Sequence, residues 1–209
     1  MNIYLTRHGQ TEWNIQKKFQ GWKNSNLTEI GKKQAELLSK RLKKIKIDKI
    51  YTSPLKRAYE TSEIIKNNRK MPIIEKEGLK EIYLGEFEGK NYEKIKESNK
   101  LPKQLYNFWY EPENYKPDKG ETFQELKKRV ENTLYQIINE NNESSDILIV
   151  THGVTLKMIF LILLNENIKN IWKTTYTENT SLSLFEYNNE KFKLKIHGDI
   201  KHLEENYNR

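Results

Sequence analysis

Residues 146–153 read DILIVTHG: an acid, four apolar strand-formers in a row, then Thr-His-Gly. A short continuous apolar run marks a strand buried on both faces, and so the middle of a sheet with helices on each side. Residues 2–9, NIYLTRHG, repeat the arrangement. The chain has four histidines in 209 residues, and two of them, His8 and His152, sit between such a strand and a glycine. In open α/β sheets, ligands bind outside the carboxyl ends of the strands. If the two strands are neighbours, their imidazoles converge. Gly9 and Gly153 then let the backbone turn and leave room beside each ring.

Outward from these strands the chain alternates between strands and helices. Residues 7–27 read as a polar loop. Thr28 caps a predicted helix to about residue 45, with Gly31, Ala35, Leu38, Leu42 and Ile45 at helical spacing. DKIYTS (48–53) is a second strand, with Ser53 as the N-cap and Pro54 as the first residue of a helix that buries Leu55, Ala58, Ser62 and Ile65. PIIEKEG (72–78) is a third strand. Residues 79–121, rich in aromatics and broken by Gly and Pro, read as a lid insertion of loops and short helices. An amphipathic helix follows from Thr122 to Asn139, then the DILIVTH strand, then a buried helix over about 154–164. SLSLFEYN (181–188) and KFKLKIHG (191–198) form an edge hairpin turning near Asn188–Asn189. The expected fold is one domain over residues 1–209. It is a three-layer α/β/α sandwich whose central sheet is mostly parallel, with an antiparallel edge.

Composition narrows the function. Cys is absent, which removes disulfides, thiolate metal sites and a cysteine nucleophile. Mean hydropathy is −0.91. The most apolar run, Val154–Leu164, falls short of the ~20 residues a bilayer needs and contains Lys157. No signal peptide precedes the first strand, so the expectation is a cytoplasmic protein without a membrane partner. Net charge is +8, concentrated in residues 1–70, where 17 Lys and Arg face 6 Asp and Glu. Most of those lysines fall on polar helix faces, so a solvated surface explains them and no nucleic-acid partner is expected.

The residues at the strand ends indicate anion chemistry. Arg7 adjoins His8, and Arg57 lies in the first turn of a helix that itself starts at a strand end. Two guanidinium groups, two imidazoles and a helix N-terminus suit a phosphate. A neutral imidazole can attack phosphorus while the cations stabilise charge on the transferring oxygens. No acidic cluster of the kind that holds Mg²⁺ is evident, so neither metal nor cofactor is expected.

Six ordered motifs carry a resemblance: LTRHGQTEWN, FQGWKNSNLTEIGKKQA, IYTSPLKRAYETSEII, LKEIYLGEFEG, KGETFQELKKRV and ILIVTHG. Together, from residue 3 to roughly 185, they resemble the histidine phosphatase superfamily of phosphoglycerate mutase-like enzymes. The resemblance implies that His8 is the nucleophile that becomes phosphorylated. Arg7, Arg57 and His152 would form the phosphate pocket with Gly21 and Gly153. Asn14 and Gln20 would contact the phosphoryl group or substrate, and Glu81 would be the proton donor. Glu86 and Glu88 are its rivals. A leaving alkoxide needs a proton at neutral pH, which is the chemical reason for such a carboxyl group. His197 and His202 lie in no motif and read as surface residues. Trp109, Tyr110 and Tyr115 read equally as a substrate mouth or as packing for the insertion.

The cofactor-dependent mutases of that family carry a longer insertion with an adjacent arginine pair for the substrate carboxylate. Here the corresponding stretch, LPKQLYNFWYEPENYKPDKGETF, is short and has no arginine. Asn24 also stands where many relatives carry Asp, a position that supports the loop. The expectation is therefore a metal-independent phosphatase working through phosphohistidine on a small phosphorylated metabolite, as a monomer or homodimer. The alternatives are a phosphoglycerate mutase and a non-catalytic phosphate- or nucleic-acid-binding module.

Overall fold

A computed structural model of the protein describes residues 1–97, 101–174 and 177–204. Residues 98–100 of the expected insertion and the terminal residues 205–209 lie outside the described residues. In chain order the strands and helices are β1 (Asn2–Arg7), α1 (Glu12–Ile15), α2 (Glu29–Arg41), β2 (Lys49–Thr52), α3 (Lys56–Lys66), β3 (Ile73–Glu75), α4 (Tyr92–Glu97), α5 (Lys103–Tyr110), α6 (Phe123–Asn139), β4 (Asp146–Thr151), α7 (Gly153–Leu163), β5 (Leu182–Asn188), β6 (Lys191–Asp199) and α8 (Lys201–Glu204).

The sheet order is β3-β2-β4-β1-β5-β6. The first four strands are parallel, and β5 and β6 run antiparallel to their neighbours along one edge. Side-chain alternation sends Ile147 and Ile149 of β4 to one face with Ile3 and Leu5 of β1, where α6 and α7 cover them. Leu148 and Val150 point the other way, onto Ala35 and Leu38 of α2 and Ala58 and Ile65 of α3. This is the expected three-layer α/β sandwich. Helix α7 is apolar on nearly every side because it is buried on nearly every side. Among the described residues no helix is long and apolar enough to cross a membrane.

Helix capping follows the sequence in two places and departs from it in a third. The Thr28 hydroxyl accepts from the Gly31 amide at the start of α2. Thr122 and Glu125 form a reciprocal capping box at the start of α6. Ser53 does not cap α3. The helix begins at Lys56 with Leu55 in the cap position, while Ser53 Oγ accepts from the Leu55 amide in a tight local turn. The turn absorbs Pro54 and moves the helix start two residues along the chain. The β5–β6 turn is likewise one residue later than expected. It consists of Asn189 and Glu190, both at positive φ (49° and 60°), between the paired Asn188 and Lys191.

Candidate active site

The parallel register β1–β4 pairs Arg7 with Thr151, so the next residues of both strands, His8 and His152, leave the sheet side by side. The His8 amide continues the ladder to the Thr151 carbonyl (2.9 Å), and the two ring centroids are 5.3 Å apart. Both rings are buried. His8 Nδ1 lies 2.7 Å from the Gly9 carbonyl oxygen, which can only accept, so Nδ1 carries the proton and Nε2 keeps its lone pair. Arg57 Nε donates to that Nε2 at 3.3 Å. Burial, then Arg57, then Arg7 hold the His8 pKa well below the ordinary imidazole value, so the ring is neutral near pH 7. His152 is shifted the same way, chiefly by burial and then by Arg57. Its Nε2 is 2.7 Å from Ser53 Oγ.

Arg57 is 1% exposed, and burial pushes its pKa down to about 10, still charged at neutral pH. Its remaining donors reach the Gly21 and Lys23 carbonyls at 2.8 and 2.9 Å. Gly21 has φ +53°, and a Cβ there would run into the Glu88 carboxylate at 2.0 Å. Glu88 in turn accepts from the Trp22, Lys23 and Leu84 amides and so ties the loop together. Glu86 faces solvent and pairs with Lys90. Of the three candidate acids, only Glu81 lines the same cavity as His8.

Glu81 sits over the N-terminus of α7. Its Oε1 accepts from the Ile82 and Thr155 amides and lies 3.1 Å from the Thr155 hydroxyl, while Oε2 accepts from the Val154 amide. Gly153 lies between the two charged groups: a Cβ built there would be 3.6 Å from Arg7 Cζ and 3.7 Å from Glu81 Oε2.

The cavity, about 240 Å³, brings together Arg7, His8, Asn14, Gln20, Gly21, Arg57, Glu81 and Gly153. His152 packs against His8 behind this floor. Asn14 also has a structural job, since its Oδ1 accepts from the Thr11 amide and hydroxyl as part of the α1 cap. The walls are aromatic: Phe19, Tyr92, Phe108, Trp109 and Trp172. Trp109 is thus a wall residue, whereas Tyr115 is fully buried against Phe108 and Phe123, and Tyr110 is exposed. Of the two histidines expected at the surface, one is buried. His202 is 6% exposed, because α8 docks it against Arg41 (3.2 Å) and Thr180 (3.3 Å). His197 is exposed, as expected, with its ring against that of Phe160, centroids 4.6 Å apart.

The segment before β5 is absent from the sequence reading of the site. Thr177 accepts from Arg7 Nη1, and Asn179 Nδ2 donates to the His8 carbonyl at 2.8 Å. Topology supplies the signal: an antiparallel neighbour of β1 enters the sheet at the edge where β1 leaves it. The loop TENTS must therefore lie beside His8. Lys157 on α7 also lines the cavity and donates to the Thr174 carbonyl and hydroxyl. Burial pushes its pKa down to about 8.

Residues 3–200 match the Histidine phosphatase superfamily (branch 1). The solved structure of Bacillus stearothermophilus YhfR superposes with a TM-score of 0.90 at 37% identity, covering 97% of this chain and 98% of that one. A metal-independent phosphoserine phosphatase of Arabidopsis thaliana is 31% identical over 205 residues, spanning 96% of this chain and 82% of the relative. A 2,3-bisphosphoglycerate-dependent phosphoglycerate mutase of Bartonella bacilliformis is 32% identical over 167 residues, 77% of this chain and 80% of the relative. With the paired histidines, the guanidinium groups and the fold all in that pattern, the chain belongs to the histidine phosphatase superfamily and is a phosphomonoesterase of that type.

Proposed function

We propose that the protein hydrolyses a small phosphorylated metabolite in two metal-independent displacements at His8. One observation carries the reading. Among the described residues, Arg7 Nε and His152 Nδ1 are buried polar atoms with no hydrogen-bond partner; Arg7 lines the cavity with His8, and the His152 ring packs against the His8 ring. A buried polar group without a partner is costly, and phosphoryl oxygens would satisfy both atoms.

In the first displacement His8 Nε2 forms the N–P bond as the ester P–O bond breaks, and Glu81 gives its proton to the departing alkoxide. Oε1 accepts from two main-chain amides and Oε2 from one, so Oε2 is the better placed to carry this proton. In the second displacement water attacks phosphorus, the N–P bond breaks, and the water proton returns to Glu81. Arg7, Arg57 and His152, with Asn14 and Gln20, hold the phosphoryl oxygens. Gly153 keeps a side chain out of the space between Arg7 and Glu81, and Gly21 lets the loop close on Glu88. The fixed cations supply the charge stabilisation that a metal would give.

The aromatic walls suit an alcohol portion with an apolar or planar body. The name of the Arabidopsis relative makes phosphoserine one candidate substrate. Sugar phosphates, phosphoglycerates, nucleoside monophosphates and α-ribazole phosphate complete the set. Hydrolysis is favoured over phosphoryl exchange between phosphoglycerates because residues 101–123 supply no arginine pair for a substrate carboxylate. The test is a panel of these esters assayed for kcat/KM in excess EDTA. Turnover in EDTA is expected; loss of all activity, restored by Mg²⁺ or Zn²⁺, would overturn the metal-independent mechanism.

A further inference from the structure

The reach of a proton donor depends on where its backbone stands, and the backbone at Glu81 is held in an unusual way. The Glu81 carbonyl accepts from two side chains distant in sequence, Trp22 Nε1 at 2.7 Å and Arg129 Nη2 at 2.9 Å. Arg129 uses all five of its N–H donors. Two go to the Glu121 carboxylate, two to the Gly78 and Lys80 carbonyls, and one to Glu81. Glu121 also accepts from the Tyr83 amide, which closes the loop from both ends. Two further hydroxyls pin the same segment: Thr151 donates to the Leu79 carbonyl and Thr155 to that of Lys80. From the other side, Trp22 belongs to the loop whose Gly21 and Lys23 carbonyls hold Arg57. The Lys80 ammonium lies 4.6 Å above the Trp22 ring and the Tyr83 ring 5.0 Å from it. The acid and the phosphate-binding guanidinium are therefore joined through one short loop.

We propose that Trp22 and Arg129 are positioning residues that fix the main chain of Glu81 relative to the bound phosphate, and that they act on leaving-group protonation. The proposal rests on Glu81 being the proton donor. A fork with all five donors occupied has no freedom to rotate, so it fixes the height of the 78–81 segment. The indole N–H fixes the lateral position. Displacing a catalytic group by about 1 Å can cost ~10²-fold, within the ~10²–10⁴-fold that general acid catalysis contributes.

The experiment measures single-turnover rates on p-nitrophenyl, phenyl and benzyl phosphate, whose leaving groups become progressively more basic. The variants are Trp22→Phe, Arg129→Lys and Glu81→Gln. Trp22 is 40% exposed and Phe keeps an aromatic ring while removing the N–H donor, so this variant should keep the fold and decides the matter even if Arg129→Lys does not fold. Trp22→Phe and Arg129→Lys should lose under ~3-fold on the p-nitrophenyl ester and ~10–100-fold on the benzyl ester, with little change in KM. In a Glu81→Gln background Trp22→Phe should add no further graded loss, because the group it positions is gone. A uniform loss across the three esters, no loss, or full additivity with Glu81→Gln would overturn the positioning role. The acid reading itself is judged by Glu81→Gln alone: an ungraded loss there would remove it, and this proposal with it.

Discussion

Arg57 should set the charge state of His8, and the structure allows the effect to be sized. Its Nε is 3.3 Å from His8 Nε2, so the charge centres of guanidinium and imidazolium would be about 4–5 Å apart. At an effective dielectric of ~20, two like charges at that separation repel by ~3–4 kcal/mol, which opposes protonation of His8. Protonating His8 in the wild type adds a third cation beside Arg57 and Arg7, and it does so in a buried place, so both causes oppose it. Arg57→Gln removes one of them and should raise the His8 pKa, while burial and Arg7 still hold it down. Arg57→Lys keeps the charge and should leave the His8 value close to wild type, although it gives up the fork to the Gly21 and Lys23 carbonyls. Ring-proton NMR titration reads this directly, because the chain has only four histidines and a His8→Ala spectrum assigns the signal. In the wild type His8 should stay neutral from pH 8 down to pH 6. An unshifted or lowered midpoint in Arg57→Gln, or a wild-type midpoint at the ordinary imidazole value, would refute the electrostatic account of why Nε2 is available for attack.

Interconversion of 3- and 2-phosphoglycerate should be negligible beside hydrolysis, as measured by NMR of the product mixture; efficient exchange would show that the missing arginine pair is not decisive. Stability should fall with acid through His202, whose pKa is pushed down to about 4 by burial and then by Arg41, against the opposing pull of Asp199. The contribution is fully present above the unfolded value of ~6.5 and is lost as pH drops toward 4. His202→Asn should therefore flatten the urea-unfolding profile in that window by on the order of 2–3 kcal/mol. An unchanged slope would mean that the docked ring is not a source of the acid sensitivity. Gly21→Ala should cost at least ~10-fold in kcat/KM, because a Cβ at φ +53° strains the backbone and drives into Glu88, which orders the loop under Arg57; wild-type kinetics would show that the loop tolerates the shift.

The parts of this architecture that the sequence makes legible are those set by burial. DILIVT is apolar at four consecutive positions because it is covered on both faces, so its central place and the strand-end position of His152 can both be read without coordinates. The helices with strong caps, Thr28 and Thr122, are legible for the same local reason. Ser-Pro at 53–54 misleads because the hydroxyl satisfies a turn amide first and then meets His152, a partner 99 residues away. His202 has no signal in its own neighbourhood; Arg41 and Thr180, which bury it, come from other elements. The supports of the site are hidden in the same way. Asn179, Arg129 and Trp22 act through backbone carbonyls, and a carbonyl leaves no trace in the identity of the residue that carries it. The motif around Glu81 points to three carboxylates, and only their packing separates the one in the cavity from the one that ties a loop and the one in solvent.

The central claim is that His8 Nε2 takes the phosphoryl group from the substrate. Rapid acid-free quenching during turnover of p-nitrophenyl phosphate, followed by peptide mass spectrometry, measures it most directly. The account predicts one acid-labile phosphoryl group on the peptide containing His8, formed at the rate of the p-nitrophenolate burst and absent from His8→Ala, which should retain its fold and lose turnover by at least ~10³-fold. A phosphoryl group on another residue, or turnover by His8→Ala within tenfold of wild type, would contradict it.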